Sequence, residues 1–462
     1  MKFSVFHSLV VLLCSCISVS IAGAASAKKK LKVFILAGQS NTVGHARGHT
    51  IATLYKSGKP GDKALIEMVF DDADLGATID EQLARARKLD ELSGGISMDK
   101  IKKMADGPEK QALQAQVDKL LEAHNAYKQS VIDACAVSDR VYISSIADRN
   151  VRDGRLAVGY GADKTKIGTE YGFGLRIAER VEGPVLLIKT SWGGKSLMYD
   201  FRPPSAVDFK TTKAYAEAKV KAAENEKRHE EAVKNFPEAE KKYASDLAAY
   251  KEKLKTADEK AKKKLREPRK PKLRRKPRLF AMDDAGRYWR EMVAHIHEVL
   301  ADPGRYHPAY DAAAGFEVAG FVWFQGFNDQ FNPEYRGAYA GNMRLFINDI
   351  REELQAQEMP FVIGVLGTPM TKEKVDANEV SQAQRRAAQF PEFAGNVRAI
   401  ESYPHYSHYS HDVFQKGWPA HYHEWSTVGS DRPYHYLGSG AFFVRLGNAF
   451  AENMAELMEE SK

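Results

Sequence analysis

Two short segments of the sequence hold side chains that could carry out acyl transfer. Ser40 follows the apolar run Leu31 to Ala37 and is preceded by Gly38. A serine at the end of a buried strand lies at the sheet edge, and a glycine permits a tight turn whose N–H groups point at a developing oxyanion. The alternative for such a serine is a helix N-cap. Near the other end of the chain, His435 precedes a predicted helix and is a candidate general base for Ser40.

Two further segments combine a buried strand with a polar loop. The stretch Thr190 to Ser196 contains paired glycines, and a backbone N–H of Gly194 could approach a ligand. The stretch Gly320 to Asp329 contains Asn328, whose amide could donate a hydrogen bond to an oxyanion. Ordinary turn chemistry is the alternative for both. The chain has no G-x-S-x-G motif, which argues against the common α/β-hydrolase pattern.

Together these segments resemble the SGNH hydrolase superfamily, and within it the sialate O-acetylesterase-like proteins of carbohydrate esterase family 6. The resemblance covers about residues 31–70, 141–199 and 281 to the end of the sequence. The stretches that carry it are Phe34 to Asn41, Gly168 to Gly174, Trp192 to Gly194, Trp323 to Gly326, and His435.

The resemblance implies a flavodoxin-like three-layer α/β/α fold with a parallel sheet and a serine esterase site. Ser40 would be the nucleophile and His435 the general base. The oxyanion hole would combine the N–H groups of Ser40 and Gly194 with the side chain of Asn328. The resemblance also assigns four residues to substrate binding: Gln39, Asn41, Trp192 and Gln325.

The third member of the triad is left open by two departures from the family pattern. Family members often have a glutamate where this chain has Phe327, and superfamily relatives have an aspartate three residues before the histidine, where this chain has Arg432. Asp431, four residues before the histidine, and Asp329 are both candidates. A Ser–His dyad is the remaining alternative.

Such a mechanism needs no cofactor and no metal, because proton transfer and oxyanion donors suffice. His405, His408 and His411, with His421 and His423 nearby, could nevertheless converge on zinc or copper. The favoured interpretation of this tract is a Tyr/His-rich rim beside the active site.

Short apolar strands that alternate with amphipathic helices predict an α/β fold whose parallel sheet is covered on both faces. The active site of such a sheet is expected at the carboxyl ends of the strands. The predicted strands are Leu31 to Ala37, Val141 to Ile146, Pro184 to Thr190, Gly320 to Phe324, Phe361 to Leu366 and Val397 to Ile400. The predicted helices are Tyr171 to Val181, Ala285 to Leu300, Tyr335 to Gln357, Val380 to Ala388 and Gly440 to Met458.

Two charged helical insertions are expected within one esterase domain at 28–462, at about 75–136 and 213–278. Apolar residues at 3/4 spacing predict a helical hairpin or short coiled coil in the second, with Pro237 as a break or helix start. The net charge of the chain is +7, but positions 251–280 alone hold 15 Lys or Arg and 4 Asp or Glu. The rest is slightly acidic, which argues against a nucleic-acid binder. The basic segment 266–278 is either a solvated arm or a binding segment for an anionic polysaccharide.

The N-terminal pattern predicts export. Residues 1–27 combine Lys2, a short apolar run and the exit Ala25-Ser26-Ala27, which is typical of a cleaved signal peptide. Cys135 would then be the single cysteine of the exported protein, and no segment reads as transmembrane. A secreted or periplasmic location is therefore expected.

The function favoured by these observations is the removal of O-acetyl groups from an acetylated glycan through an acetyl-serine intermediate. The alternative from another class is a catalytically silent glycan- or wall-binding protein that uses the basic arm. A different SGNH activity, such as a lipase-like one, is the third possibility, although the sequence has no long apolar lid.

Overall fold

The computed structural model describes residues 29–70, 76–262, 265–273, 275–277 and 282–460. The predicted signal peptide, residues 1–27, lies outside them. None of the helices formed by the described residues is both long enough and apolar enough to cross a bilayer.

Among the described residues, nine strands form a seven-stranded sheet and a two-stranded one. In the large sheet the order is β4-β3-β6-β1-β7-β8-β9, and every neighbouring pair is parallel except β3 and β4. Strands β2 and β5 pair in an antiparallel way beside it. The strands are β1 (Leu31–Gly38), β2 (Ala46–Arg47), β3 (Val141–Ala147), β4 (Asn150–Arg155), β5 (Lys166–Ile167), β6 (Val185–Ser191), β7 (Phe316–Phe324), β8 (Phe361–Val365) and β9 (Val397–Glu401).

The five strands β6-β1-β7-β8-β9 have the 2-1-3-4-5 order of a flavodoxin-like sheet. The predicted α/β fold class is thereby confirmed, and every predicted strand is present. Strand β4 was not predicted, because as an exposed antiparallel edge it lacks the continuous apolar run of the buried strands. The carboxyl ends of β6, β1 and β7 lie side by side and carry the polar loops.

Helices cover both faces of the large sheet, and further helices form the two insertions. They are α1 (Ser40–Val43), α2 (Leu54–Ser57), α3 (Asp62–Val69), α4 (Gly76–Ser93), α5 (Asp99–Lys102), α6 (Pro108–Asp133), α7 (Thr169–Arg180), α8 (Lys213–Thr256), α9 (Glu259–Lys262), α10 (Arg287–Ala301), α11 (Pro303–Tyr306), α12 (Pro333–Glu353), α13 (Lys372–Asp376), α14 (Glu379–Ala387), α15 (His408–Gln415), α16 (Tyr422–Val428) and α17 (Gly440–Glu460).

The alternation of side chains along β1 divides the core into two layers. Phe34 and Leu36 face the layer formed with α7 and α17, whereas Val33 and Ile35 face the layer formed with α10, α12 and α14. All four side chains are fully buried. A strand with apolar residues on both faces can exist only between two helical layers, so the composition of β1 already requires the three-layer architecture.

The first insertion packs onto the domain instead of projecting from it. Helix α4 is followed by Gly94, and α6 is preceded by Gly107. From α4, the carboxylate of Asp90 accepts the backbone N–H groups of His423 and Glu424, both at 2.9 Å. Asp90 thus satisfies two of the donors that the start of α16 would otherwise leave unpaired.

The second insertion differs from the predicted hairpin. Helix α8 runs for 44 residues without a break at Pro237, about 66 Å at 1.5 Å per residue. A proline leaves the carbonyl four residues earlier without its helical partner. Here that carbonyl belongs to Val233, whose side chain is exposed, so water can take the bond. Within the described residues the chain returns along α8 as an extended segment, and Lys276 Nζ lies 3.8 Å from a carboxylate oxygen of Glu226.

One fully buried lysine connects the sheet by hydrogen bonds to three neighbouring segments. Lys189, on β6, donates from Nζ to the carbonyls of Val43 at 2.9 Å and Tyr160 at 2.8 Å, and to Glu170 Oε2 at 2.8 Å. Glu170 also accepts the N–H of Gly168 at 2.7 Å. Burial lowers the pKa of Lys189, and the Glu170 carboxylate opposes that shift. The ammonium has three donors and meets three acceptors.

Three buried histidines form a cluster between the first insertion and α16. His49 Nε2 lies 2.8 Å from the carbonyl of Ser426, and the rings of His124 and His423 are 6.0 Å apart. Neither ring nitrogen of His124 has a partner among the described residues. Burial, together with the charge of Lys128, lowers the pKa of His49 to about 3, of His124 to about 2 and of His423 to about 4. The cluster is therefore neutral at ordinary pH.

We expect this cluster to make the fold less stable in acid. Between about pH 6.5 and pH 4 the unfolded chain binds protons at these three histidines and the folded chain does not, so stability falls as the pH falls. Each histidine lowers the free energy of unfolding by up to about 2 kcal/mol between pH 7.5 and pH 5. Asp329 acts in the opposite direction, because burial raises its pKa to about 7. Urea unfolding at both pH values measures the balance.

The matched variants for this measurement are His124→Phe and His229→Gln. His124→Phe removes one protonation site, so it should reduce the loss of stability between pH 7.5 and pH 5 by up to about 2 kcal/mol. His229 lies on α8, outside the cluster, so His229→Gln should leave the pH dependence of stability unchanged. The same pH dependence in His124→Phe as in the wild type would contradict the role of the cluster.

Candidate functional site

The turn after β1 places Ser40 at the sheet edge. Ser40 is the first residue of α1 and its side chain is 8% exposed. A Cβ at Gly38 would lie 2.3 Å from the carbonyl oxygen of Phe324, so only glycine allows β1 and β7 to approach so closely here. Thr42 Oγ1 donates to the same carbonyl at 2.7 Å. The nucleophile turn is thus fixed to the end of β7.

The loop that carries His435 is fastened to the same turn. Asn41 Nδ2 donates to the carbonyl of Tyr434 at 3.3 Å. His435 Nδ1 lies 3.0 Å from Asp431 Oδ1, in the geometry of a carboxylate that orients an imidazole. Ser40 Oγ makes no hydrogen bond within the described part of the chain, and neither does His435 Nε2. Catalytic hydrogen bonds are often formed only in the complex with substrate.

The electrostatics of this pair suit a general base. Burial lowers the pKa of His435 below 6.5, although the hydrogen bond to Asp431 opposes the shift. Hydrogen bonds from His435, His45 and the N–H of Arg432 outweigh burial at Asp431 and hold its pKa well below the usual range. At neutral pH the pair is therefore an uncharged imidazole beside an ionised carboxylate.

The three donors predicted for the oxyanion hole are not all used within the described residues. Gly194 has a φ of +71°, and Asn328 Nδ2 donates to its carbonyl at 2.8 Å, which leaves one amide hydrogen available. Among the described residues, no acceptor takes the N–H of Ser40 or that of Gly194. By contrast, the N–H of Gly193 is used by Asp148 Oδ1 at 2.7 Å.

Gln39 holds this arrangement together with neutral amides. Its Oε1 accepts the N–H groups of Gly326 and Asn328, each at 3.2 Å, and its Nε2 donates to Asn328 Oδ1 at 3.2 Å. Gln325 Nε2 also donates to Gln39 Oε1, at 3.2 Å, and to the carbonyl of Lys195 at 2.9 Å. The loops after β1, β6 and β7 are therefore connected through two glutamine side chains.

Of the two aspartates considered from the sequence, only Asp431 is in contact with His435. The carboxylate of Asp329 is fully buried and accepts from the N–H groups of Leu197 and Met198 at 3.0 Å and from Gln325 Nε2 at 2.6 Å. Burial without a cation raises the pKa of Asp329 to about 7. Its contacts give it a role in fixing the loop after β6.

The four predicted substrate-binding side chains are all buried. Gln39, Asn41 and Gln325 hold loops, and Trp192 is 7% exposed because it packs against Phe201 and Tyr288. The ring of Trp192 therefore belongs to the core, and a part for Trp192 in substrate binding stays a prediction. The aromatic side chains that remain accessible near His435 are Phe327, Phe331 and Tyr434, with ring centroids 5.3 to 5.9 Å apart between Phe327 and the other two.

Sequence reasoning missed His45, whose ring stacks on that of His435. The ring centroids are 4.0 Å apart, and His45 Nδ1 lies 3.4 Å from Asp431 Oδ2. The one signal in the sequence was a histidine five residues after Ser40. His45, Asp431 and His435 are also the one place, in the described ranges, where three side chains of metal-ligand type lie within 4.8 Å of one another.

The His-rich tract does not line the active site. Tyr406 is fully buried and packs on Tyr436 and Phe442, and His423 belongs to the buried cluster beneath α16. Tyr406 and His423 of this tract therefore belong to the core, whereas His408 is exposed and His405, His411 and His421 are half-buried.

Comparison with known families gives one match. Residues 278–412 match the family model described as carbohydrate esterase, sialic acid-specific acetylesterase. The matched part includes Gln325 and Asn328, and it includes neither Ser40 nor His435. The resemblance to sialate O-acetylesterase-like proteins drawn from the sequence is thereby confirmed. The expectation of a hydrolase that acts on ester bonds, of the carbohydrate esterase type, is confirmed with it. No curated protein matches the chain in sequence.

Solved structures with similar folds are distant. A protein from Arabidopsis thaliana aligns over 92% of this chain and 98% of its own, with 12% identity and a TM-score of 0.38. NanS aligns over 81% and 78%, with 10% identity and a TM-score of 0.34. A carbohydrate acetylesterase from Xanthomonas citri aligns over 80% and 49%, with 11% identity and a TM-score of 0.30.

The contacts of the two aspartates predict different mutant phenotypes. Asp431→Asn should lower kcat of an ester substrate about 100-fold or more, because the carboxylate no longer stabilises the imidazolium form of His435. Asp329→Asn should mainly lower the thermal midpoint, since an amide cannot accept all of the N–H groups that meet this carboxylate. Steady-state kinetics and thermal unfolding of both variants separate the effects. A larger loss of kcat in folded Asp329→Asn would reverse the assignment.

Proposed function

We propose that the protein is an exported serine esterase that removes O-acetyl groups from a carbohydrate through an acetyl-serine intermediate. Ser40 is the nucleophile, His435 the general base and Asp431 the residue that orients it. The N–H groups of Ser40 and Gly194 and the amide of Asn328 form the oxyanion hole. Export is supported by the signal-peptide pattern of residues 1–27.

The reaction proceeds in two acyl-transfer steps. His435 Nε2 takes the proton of Ser40 Oγ as the oxygen attacks the acetyl carbonyl carbon. The oxyanion of the tetrahedral species accepts from the preorganised donors, each of which is typically worth about 10²- to 10³-fold in rate. As the bond from the acyl carbon to the sugar oxygen breaks, the imidazolium of His435 protonates that oxygen, and the sugar leaves with a free hydroxyl. Water, deprotonated by the same imidazole, hydrolyses the acetyl-serine and releases acetate.

One observation carries this proposal. The segment of His435 is joined to the turn of Ser40 by Asn41, and Asp431 holds the Nδ1 side of the imidazole at 3.0 Å. Nδ1 is therefore the protonated nitrogen, and Nε2 remains free to act as a base. The exposed side chains of Phe331 and Tyr434, with the half-buried Phe327 between them, offer apolar faces on which a sugar ring can pack.

The first test is hydrolysis of p-nitrophenyl acetate and of an acetylated oligosaccharide. Ser40→Ala and His435→Ala should each abolish turnover while the thermal midpoint stays close to wild type. The double variant should be little worse than either single one, because the two residues act as a unit. Ser205 is an exposed serine outside the site, so Ser205→Ala is the control and should retain activity.

Two results of this test would go against the proposal. Near wild-type turnover by Ser40→Ala, in a preparation free of other esterases, would remove Ser40 as nucleophile. No turnover by the wild type on any acetyl ester would favour the alternative, a catalytically silent glycan-binding protein.

The extended return segment of the second insertion supports a binding role for this arm. The arm is defined as Lys213 to Pro277. Residues 265–278 contain eight Lys or Arg and one Glu. Half-buried positions recur at every third residue, at Leu265, Pro268, Pro271 and Pro277, while the other described positions between them are exposed. Three residues per turn is the period of a polyproline II helix. The half-buried side chains at these positions thus lie on one side of the segment, and the described Lys and Arg side chains between them are exposed.

We propose that the cations of 266–278 bind an anionic polysaccharide and hold the esterase on its substrate. A rigid extended segment presents charge at short, regular intervals without a large entropy cost. Helix α8 itself carries an almost balanced set of charges, so the basic character is confined to the return segment.

Removal of the arm should separate binding from turnover. Replacing residues 219–277 with a short Gly/Ser linker keeps Ala214 and Tyr215, which pack against Phe209. Turnover of p-nitrophenyl acetate should stay within about threefold of wild type. Retention on immobilised polygalacturonate should fall, and the difference should shrink with added salt, because exposed charges are screened beyond about 8 Å at physiological ionic strength.

A matched pair of triple variants isolates the charges. Glutamine at Arg269, Lys270 and Lys272 should weaken retention, whereas glutamine at Lys234, Lys241 and Lys242 of α8 removes the same charge and should not. Equal effects of the two triple variants would indicate a general electrostatic effect and no binding segment.

A further inference from the structure

Two histidines share the carboxylate of Asp431. His435 Nδ1 lies 3.0 Å from Oδ1, and His45 Nδ1 lies 3.4 Å from Oδ2. The two imidazole planes differ by 2° and their centroids are 4.0 Å apart, so the rings are stacked face to face. The side chains of all three residues are 14 to 20% exposed. The carboxylate therefore meets one ring nitrogen on each oxygen.

His45 also connects two separate parts of the site. It follows Gly44, which ends the turn of Ser40, and its carbonyl accepts from Ser430 Oγ at 3.0 Å. Ser430 directly precedes Asp431. A single residue next to the nucleophile turn thus contacts the segment that carries the acid through its backbone and through its ring.

This second contact is needed because of the spacing of the acid. Asp431 stands four residues before His435, one residue farther than the superfamily pattern described above. Its Oδ1 accepts the N–H of Arg432 at 2.7 Å as well as His435 Nδ1. With both of these donors on one oxygen, the carboxylate could rotate about its side-chain bonds. A donor on Oδ2 prevents that rotation.

We propose that His45 is a positioning residue for the reaction, which holds Asp431 by a hydrogen bond to Oδ2 and supports the ring of His435 by stacking. This inference rests on the proposed function. His45 does not touch the reacting atoms; it acts through the two residues that orient and accept the proton. The stacked ring also keeps the imidazole of His435 from tilting when the imidazolium forms.

The charged and titratable groups that act on His435 come from three elements. Asp431 raises its pKa, whereas His45 and Lys166, on β5, lower it. Replacing His45 removes one of the two groups that lower the pKa and frees the carboxylate for His435 alone. Both changes stabilise the imidazolium form, so the acid limb of the pH–rate profile should move to higher pH.

Two variants separate the hydrogen bond from the stacking. His45→Phe keeps a ring over His435 and removes the donor to Asp431. His45→Asn keeps an amide N–H near the position of Nδ1 and removes the ring. His297→Phe, on the exposed side of α10, is the control for a histidine-to-phenylalanine change elsewhere.

The measurements are kcat, KM and the pH profile of kcat/KM for p-nitrophenyl acetate, with thermal midpoints to show that each variant is folded. His45→Phe should lower kcat about tenfold or more with little change in KM, since a charge-assisted hydrogen bond is lost. Its acid limb should move to higher pH. His45→Asn should recover at least half of the lost activity on a logarithmic scale.

A kcat of His45→Phe within twofold of the wild type would overturn the proposal. So would equal losses in both variants without a change in the pH profile, which would indicate a structural role alone. Failure of the proposed function is recognised separately, because Ser40→Ala would then retain wild-type turnover.

Discussion

A charged lysine in the middle of the buried sheet is the constraint on which the site depends. An ammonium group without water costs several kcal/mol unless its hydrogen bonds and its charge are both met. Lys189 satisfies this requirement through the carbonyls of Val43 and Tyr160 and the carboxylate of Glu170. The end of the nucleophile helix, the loop before β5 and the start of α7 are thereby held at fixed positions around one atom. None of them can move without leaving a buried charge unpaired.

Above Lys189, neutral amide side chains fix the groups of the proposed active site. Gln39 and Gln325 connect three loops, and the low dielectric of the site makes each of these bonds worth more than in water. Because these connecting side chains carry no charge, the electric field at Ser40 is set by the donors of the proposed oxyanion hole and by the pair Asp431–His435. Preorganised donors of this kind need no rearrangement when the oxyanion forms, and the buried glutamines explain how loops of different strands keep that arrangement.

The two insertions relate to this site in different ways. The first packs against α16 through Asp90 and the buried histidines, so it contributes to the stability of the segment that precedes Asp431. The second leaves the domain as one long helix and returns as a basic extended segment. The apolar cluster that fastens it to the domain lies at its base, near Phe209. The arm can therefore be altered without changing the geometry around Ser40.

The sequence by itself determined the sheet, because strands buried on both faces must be apolar along their whole length, and it determined which loops follow those strands. Ser40, Gly194 and Asn328 could therefore be placed at one edge from local patterns, whereas His435 precedes a helix and was assigned to the site by the family resemblance. The tertiary structure decided which side chains meet across that edge. Trp192 turns into the core, Asp329 is sealed beneath the loop after β6, and His45 stacks on His435. It also decided that α8 continues through Pro237. The physical reason is the same in each case: local spacing records burial and backbone preference, whereas a contact depends on residues distant in the chain whose side-chain directions are set only by packing.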